Sequence, residues 1–82
     1  MKNDDLDKLL INIGKIIRKL REEEDISQLT LGNDVGLSAN QIGRIERAEG
    51  NPTVKSLFGI AKHYNIDISD FFKDPATIEA KK

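Results

Sequence analysis

The sequence predicts an all-α fold of five helices, and three observations carry that expectation. Leu6, Leu9, Leu10, Ile13, Ile16, Ile17 and Leu20 recur at three- and four-residue spacing, the period of one helix face. From Ser27 onward, short amphipathic segments follow one another, broken at Gly36 and reopened at Ser38. No stretch carries the period-two alternation of a half-buried strand, and there is no internal repeat.

Each element has its own justification. Helix 1 is the leucine–isoleucine stripe, with Asp4, Asp5 and Asp7 near its start, where the helix dipole favours acids. Gly14 inside the stripe costs about 1 kcal/mol against alanine, so a close helix contact is expected there. Glu22, Glu23 and Glu24 sit badly at a helix C-terminus, and Asp25 is expected in the left-handed capping position. Ser27 caps helix 2, whose Leu31 and Val35 face inward, with Gly32 small where the two motif helices cross. Gly36 ends that helix in the left-handed conformation, and Leu37 packs under the turn. Ser38 and Gln41 fit the Ser-x-x-Gln capping box, so helix 3 starts at Ala39 and buries Ile42 and Ile45. Residues 48–52 form a loop. Thr53 caps helix 4, which buries Leu57, Ile60, Ala61 and Tyr64 and stops at Asn65. Asp67 caps a last short helix carrying Ile68, Phe71 and Phe72. Pro75 is expected to end the ordered part, leaving residues 76–82 as a frayed tail.

Eighty-two residues make one small domain, which buries only roughly 60% of the surface its unfolded chain exposes. With no cysteine, neither a disulfide nor a thiolate metal site can add stability, and the composition suits a reducing cytoplasm. No apolar run approaches a membrane span, and residues 1–20 mix charged with apolar residues unlike a signal peptide. The net charge of −1 runs against a nucleic-acid partner, but the placement of charge matters more than its sum. Lys15, Arg18, Lys19 and Arg21 form a basic run followed at once by Glu22, Glu23, Glu24 and Asp25. Arg44, Arg47 and Lys55 cluster in and just after helix 3. A dipolar fold with one basic face follows, and weak non-specific DNA binding at physiological salt.

Two short helices joined by a tight glycine turn present the N-terminus of the second as a protruding edge, the geometry of a helix-turn-helix. The whole stretch resembles the lambda-repressor-like, Cro/C1-type or Xre, family over roughly residues 12–73. The resemblance rests on Ile16 to Arg21, Ser27-Gln28, Leu31-Gly32, Gly36-Leu37-Ser38, Ile42-Gly43-Arg44-Ile45-Glu46-Arg47, Asn51-Pro52-Thr53 and Ile60-Ala61-Lys62, in order and at family spacing. Three positions depart from it. Gly32 stands where alanine is usual, Leu29 where the family carries a polar residue, and Gly43 where serine is common, so no base contact is expected from position 43. The resemblance implies a five-helix domain whose helix-turn-helix is formed by helices 2 and 3. Residues 1–11 are then an N-terminal extension and the start of helix 1, 12–73 the DNA-binding domain, and 74–82 a tail. It also implies a structural ion pair between Arg21 and Glu46.

On helix 3, Ala39, Asn40, Gln41 and Arg44 form the outward face, and positions 40 and 44 project together one turn apart. Asparagine can pair with adenine and arginine with guanine, each through two hydrogen bonds, and Ala39 can touch a thymine methyl. Base contact from Gln41 competes with its capping role. Gln28 sits on the first turn of helix 2, where its amide and the free backbone N–H groups can donate to a phosphate, and Ser38 is counted with the DNA-binding residues. Arg47, Asn51, Thr53 and Lys55 surround the following loop as phosphate contacts that set register.

The remaining chemistry is excluded or structural. His63 is a single histidine without cysteine partners, and the acidic run 22–25 lacks the spacing of a calcium loop. No metal, no cofactor and no enzyme activity is expected. Tyr64, Ile66, Ile68, Phe71 and Phe72 gather more apolar surface than one short helix covers, and Ile68, Phe71 and Phe72 are expected to form a dimer face. The expected function is a cytoplasmic transcriptional regulator that binds a partly palindromic operator as a homodimer. The alternative is an antitoxin-like regulator or a protein-interaction module of the same fold, with a protein partner.

Overall fold

Side chains that cap their own helix set where each element begins. In the computed structural model, which describes residues 3–77, α1 runs Asn3–Glu24, α2 Gln28–Val35, α3 Ala39–Glu46 and α4 Val54–Tyr64. Ser27 Oγ accepts from the backbone N–H of Thr30, and Thr53 Oγ1 from that of Ser56. Ser38 and Gln41 form a reciprocal capping box. After α4 comes a 3-10 turn, Ile68–Phe72, where the sequence predicts a short α-helix. Its box is closed by Asp67 and Asp70. With only five residues between Asp67 and Lys73, the tighter 3-10 winding satisfies the segment.

The ends follow one rule. Asp25, Gly36, Ala48 and Asn65 all take left-handed backbone, with φ of 58°, 79°, 59° and 56°. In each case the next residue donates its N–H back to a carbonyl five residues earlier: Ile26 to Arg21, Leu37 to Gly32, Glu49 to Arg44 and Ile66 to Ala61. α1, α3 and α4 complete a Schellman motif with a second bond from the left-handed residue to the carbonyl three back, whereas at α2 the Gly36 N–H bonds Gly32 O, four back. Ile26, Leu37 and Ile66, the residues after three of these turns, pack against the core. The triplets Asp25-Ile26-Ser27, Gly36-Leu37-Ser38 and Asn65-Ile66-Asp67 each stop one element, plug the core and cap the next.

Ala48 carries the strain that glycine avoids at this backbone conformation. Ala48→Gly is expected to raise stability by about 1 kcal/mol, net of glycine's looser unfolded state, and Tm by about 4–8 °C. A melt showing no gain would mean that Ala48 is unstrained.

The core is assembled from one stripe of each helix. Ile13, Ile16, Ile17 and Leu20 of α1 meet Leu31, Ile42, Ile45, Leu57, Ile60, Ala61, Tyr64 and Phe71. The expected stripe of α1 is fully buried only from Ile13 onward, with Leu9 half-buried against the core. Leu6 is exposed, because the first turns of a helix about 33 Å long overrun the elements stacked on it. The α1 helix packs against α3 and the two C-terminal turns, and α2 packs against α3 and α4. At Gly14 a methyl group would stand 2.6 Å from Ile45 O and 2.7 Å from Glu46 O. That backbone-to-backbone approach of α1 to α3 is the close contact that offsets the glycine. A methyl at Gly32 would overlap Leu37 O.

Burial pushes the Tyr64 phenol well above its ordinary value near 10, with Glu24 adding to the shift. The His63 ring stacks edge-on against Tyr64 at 4.7 Å, and its Nε2 lies 3.1 Å from Glu24 Oε1. This contact ties the end of α4 to the acidic end of α1.

Two expectations at the C-terminus are corrected. Phe71 has no exposed surface and lies in the core, while Phe72 is 54% exposed. Adjacent residues of a tight turn point apart, so only one of the two can serve a partner, and Phe71 is withdrawn from the dimer face. The backbone also continues past Lys73 into a second 3-10 turn, Pro75–Thr77, which packs on α1. Lys19 Nζ donates to Pro75 O at 3.3 Å. The rest of the expected tail, 78–82, lies outside the described residues. Among the described residues no helix is long and apolar enough to cross a membrane.

Candidate nucleic-acid interface

The capping box at Ser38 fixes where α3 starts, and so which of its residues face out. Ile42 and Ile45 point into the core. Asn40, Gln41 and Arg44 are exposed, with Ala39 half-buried. Among the described residues Asn40 engages no partner. Gln41 is already committed at one end: its Oε1 accepts from Ser38 N at 2.8 Å. Its amide nitrogen and one lone pair of that oxygen remain for a base. Arg44 lies over the following loop, where a methyl at Gly50 would stand 3.1 Å from its Nη2. Gly50 itself has φ 78°.

An open cleft of about 270 Å³ runs between α3 and the start of α4, lined by Gln41, Arg44, Asn51, Thr53 and Ser56 among others. Asn51 and Lys55 are exposed beside it. The hydroxyls of Ser38 and Thr53 are engaged as helix caps and the Ser38 N–H is held by Gln41 Oε1, so these ends offer the free N–H groups of the first turns of α3 and α4 rather than the capping residues themselves. Glu49, an acid to which the sequence alone assigns no role, also lines this cleft. It accepts from Arg47 Nη2 at 3.3 Å, an exposed pair. Its position two residues after Arg47, across a chain reversal, is the signal that would have found it.

Beneath α3 lies a polar hub. Arg21 Nε and Nη2 donate to Glu46 Oε2 and Oε1 at 2.7 and 3.0 Å, a two-pronged pair. The Glu46 side chain is only 3% exposed. Arg21 Nη1 donates to Ile26 O at 2.9 Å, and Gln28 Nε2 to Glu46 Oε1 at 3.1 Å. The hydrogen bond to Glu46 raises the Arg21 guanidinium further above its ordinary value. One carboxylate thus joins α1, α2 and α3, and it sits away from the surface where it would repel phosphates.

The structure does not gather the basic run of α1 into one face. Arg18 pairs with Glu22 at 3.2 Å, Arg21 with Glu46, and Lys19 with Pro75 O. The exposed cations of the α3 region are Arg44, Arg47 and Lys55. Gln28 likewise belongs to the hub as much as to the surface.

A helix-turn-helix family profile matches residues 17–71. The chain belongs to the Cro/C1-type helix-turn-helix family. That family consists of DNA-binding transcription regulators, not enzymes. The chain is 33% identical over 63 residues to the HTH-type transcriptional regulator SutR of Escherichia coli (strain K12), covering 77% of this chain and 35% of that protein. It is 30% identical over 61 residues to the cryptic phage CTXphi transcriptional repressor RstR of Vibrio cholerae, covering 74% of this chain and 55% of that protein. It thus spans about a third of SutR and about half of RstR. Among solved structures it resembles the restriction-modification controller protein C.AhdI of Aeromonas hydrophila, with a TM-score of 0.71 and 28% identity. That likeness covers 77% of this chain and 96% of C.AhdI.

Proposed function

We propose that this chain regulates transcription by binding a partly palindromic operator as a homodimer, with α3 lying in the major groove. The observation that carries this reading is the outward face of α3. Its start is fixed by the capping box, its inner face is locked in the core, and Asn40 and Arg44 are exposed one turn apart. That is the spacing with which two side chains read neighbouring base pairs. Arg47, Asn51, Lys55 and the capped N-termini of α3 and α4 flank this face as phosphate contacts.

Two-fold assembly would bring two recognition helices to successive major grooves about 34 Å apart. A single protomer, 34 × 26 × 20 Å, spans about one such interval. Phe72, with half-buried Ile68 in the same turn, is the apolar surface offered to a partner copy, and Val54 and Phe58 on α4 are also exposed. Phe72→Asp is expected to shift the species in sedimentation from dimer to monomer and to weaken operator binding at least tenfold. An unchanged sedimentation coefficient would remove Phe72 from the interface.

DNA binding itself is tested by titrating the protein against duplexes selected from a random pool at two salt concentrations. Binding that weakens steeply with salt and discriminates among sequences supports the reading. The protein-interaction alternative draws on Leu29, Val54 and Phe58, all more than half exposed. It would take over if no duplex bound at low salt.

A further inference from the structure

We infer that Gly43 is a positioning residue for DNA binding: its missing side chain is the seat on which the Arg47 guanidinium lies beside Gln28, facing a backbone phosphate. The inference rests on the DNA-binding reading above and deepens it. Glycine is unfavourable inside a helix, and Gly43 stands in the middle of α3 with ordinary helical backbone. It is also buried. The three atoms closest to where its side chain would project all belong to two polar residues. A methyl there would stand 2.8 Å from Arg47 Nη1, 3.2 Å from Gln28 Oε1 and 3.4 Å from Gln28 Nε2.

Arg47 follows the last residue of α3, and its side chain runs back one turn along the helix to reach this point. Gln28 arrives from the first turn of α2. Each is tethered from the other side, Gln28 by Glu46 at 3.1 Å and Arg47 by Glu49 at 3.3 Å. The Arg47 side chain remains 52% exposed. The result is a planar cation held against the recognition helix, half in solvent, with an amide at its side. A guanidinium so held presents paired N–H donors to a phosphate oxygen with little side-chain freedom left to lose. Any larger residue at position 43 lifts Arg47 off the helix and away from Gln28.

The test is a cycle of Gly43→Ala, Arg47→Ala and the double variant, titrated against a duplex of about 30 base pairs selected by the wild-type protein, long enough for two half-sites. An unrelated duplex of the same length serves as the second probe. Gly43→Ala is expected to melt at or above the wild-type temperature, because the displaced atoms are side-chain ends and alanine favours the helix. It is expected to bind both duplexes about tenfold more weakly near 0.1 M salt and to lower the salt slope by about one, the signature of one lost phosphate contact. Arg47→Ala should show the same losses, and adding Gly43→Ala to it should change nothing further. Wild-type affinity in Gly43→Ala would overturn the inference, as would an equal loss in the Arg47→Ala background. Should Gly43→Ala fail to fold, Arg47→Ala alone decides, and an unchanged salt slope refutes the seat. If the wild-type protein binds no duplex, both this inference and the reading beneath it fall. Wild-type binding with an unaffected Gly43→Ala removes the inference alone.

Discussion

Glu46→Ala is expected to destabilise the domain by about 3–5 kcal/mol, because it leaves the Arg21 guanidinium in place without its counter-charge. A domain of this size has about 4–12 kcal/mol of total stability, so the variant should be largely unfolded near its wild-type melting temperature. The size of the effect comes from burial: the Glu46 side chain is 3% exposed and that of Arg21 14%. Exposed pairs such as Arg18–Glu22 contribute at most about 1 kcal/mol. Gln28→Ala removes one hydrogen bond from the same carboxylate and should cost about 0.5–1.5 kcal/mol. Replacing both charges with apolar residues of similar size, Arg21→Met with Glu46→Leu, should recover most of the loss, since no uncompensated charge remains. Urea melts of the two single variants and the double measure the coupling. Additive effects would show that the two groups do not act as a pair.

Arg44→Ala and Lys55→Ala should separate reading from anchoring on the same surface. Arg44 lies on the outward face of α3, and Lys55 lies beyond the loop in the first turn of α4. Loss of a base-reading side chain should cost about 1–3 kcal/mol on the preferred operator and relax preference at one base pair. Loss of a phosphate contact should weaken all sequences alike and lower the salt slope by about one. Arg44→Ala is therefore expected to alter specificity and Lys55→Ala affinity alone. The measurement is a set of titrations against operator variants at two salt concentrations. In Arg44→Ala the guanidinium resting over Gly50 is also lost, so its melting temperature should be recorded alongside. If Arg44→Ala weakened every sequence equally, Arg44 would be a phosphate clamp, and base reading would pass to Ala39, Asn40 and Gln41.

Helix starts and the faces the helices bury are legible along the chain alone. Ser27, Ser38 with Gln41, Thr53 and Asp67 each cap an element through contacts two or three residues away. Leu57, Ile60, Ala61 and Tyr64 mark a buried face by period alone. Such signals are legible because the interacting groups are chain neighbours. The order of motifs from Ser27 to Thr53 also carried the family, and with it the expectation that α3 meets DNA. Tertiary structure decided what depends on contacts between distant segments. Arg21 and Glu46 are 25 residues apart, and no local pattern states that they meet. Resemblance implied that pair, but not that Gln28 shares its carboxylate. Phe71 and Phe72 are indistinguishable by composition, and only the direction of a tight turn sends one inward and the other out. The basic run of α1 reads as a patch along the chain, yet Arg18, Lys19 and Arg21 find three separate partners in space. Gly43 shows the same division: along the chain it is a weak point in a short helix, and only the fold shows that Arg47 and Gln28 occupy the room it leaves. Periodicity and capping are local and repeat in the sequence, whereas the partner of a charge is chosen by whichever helices pack together.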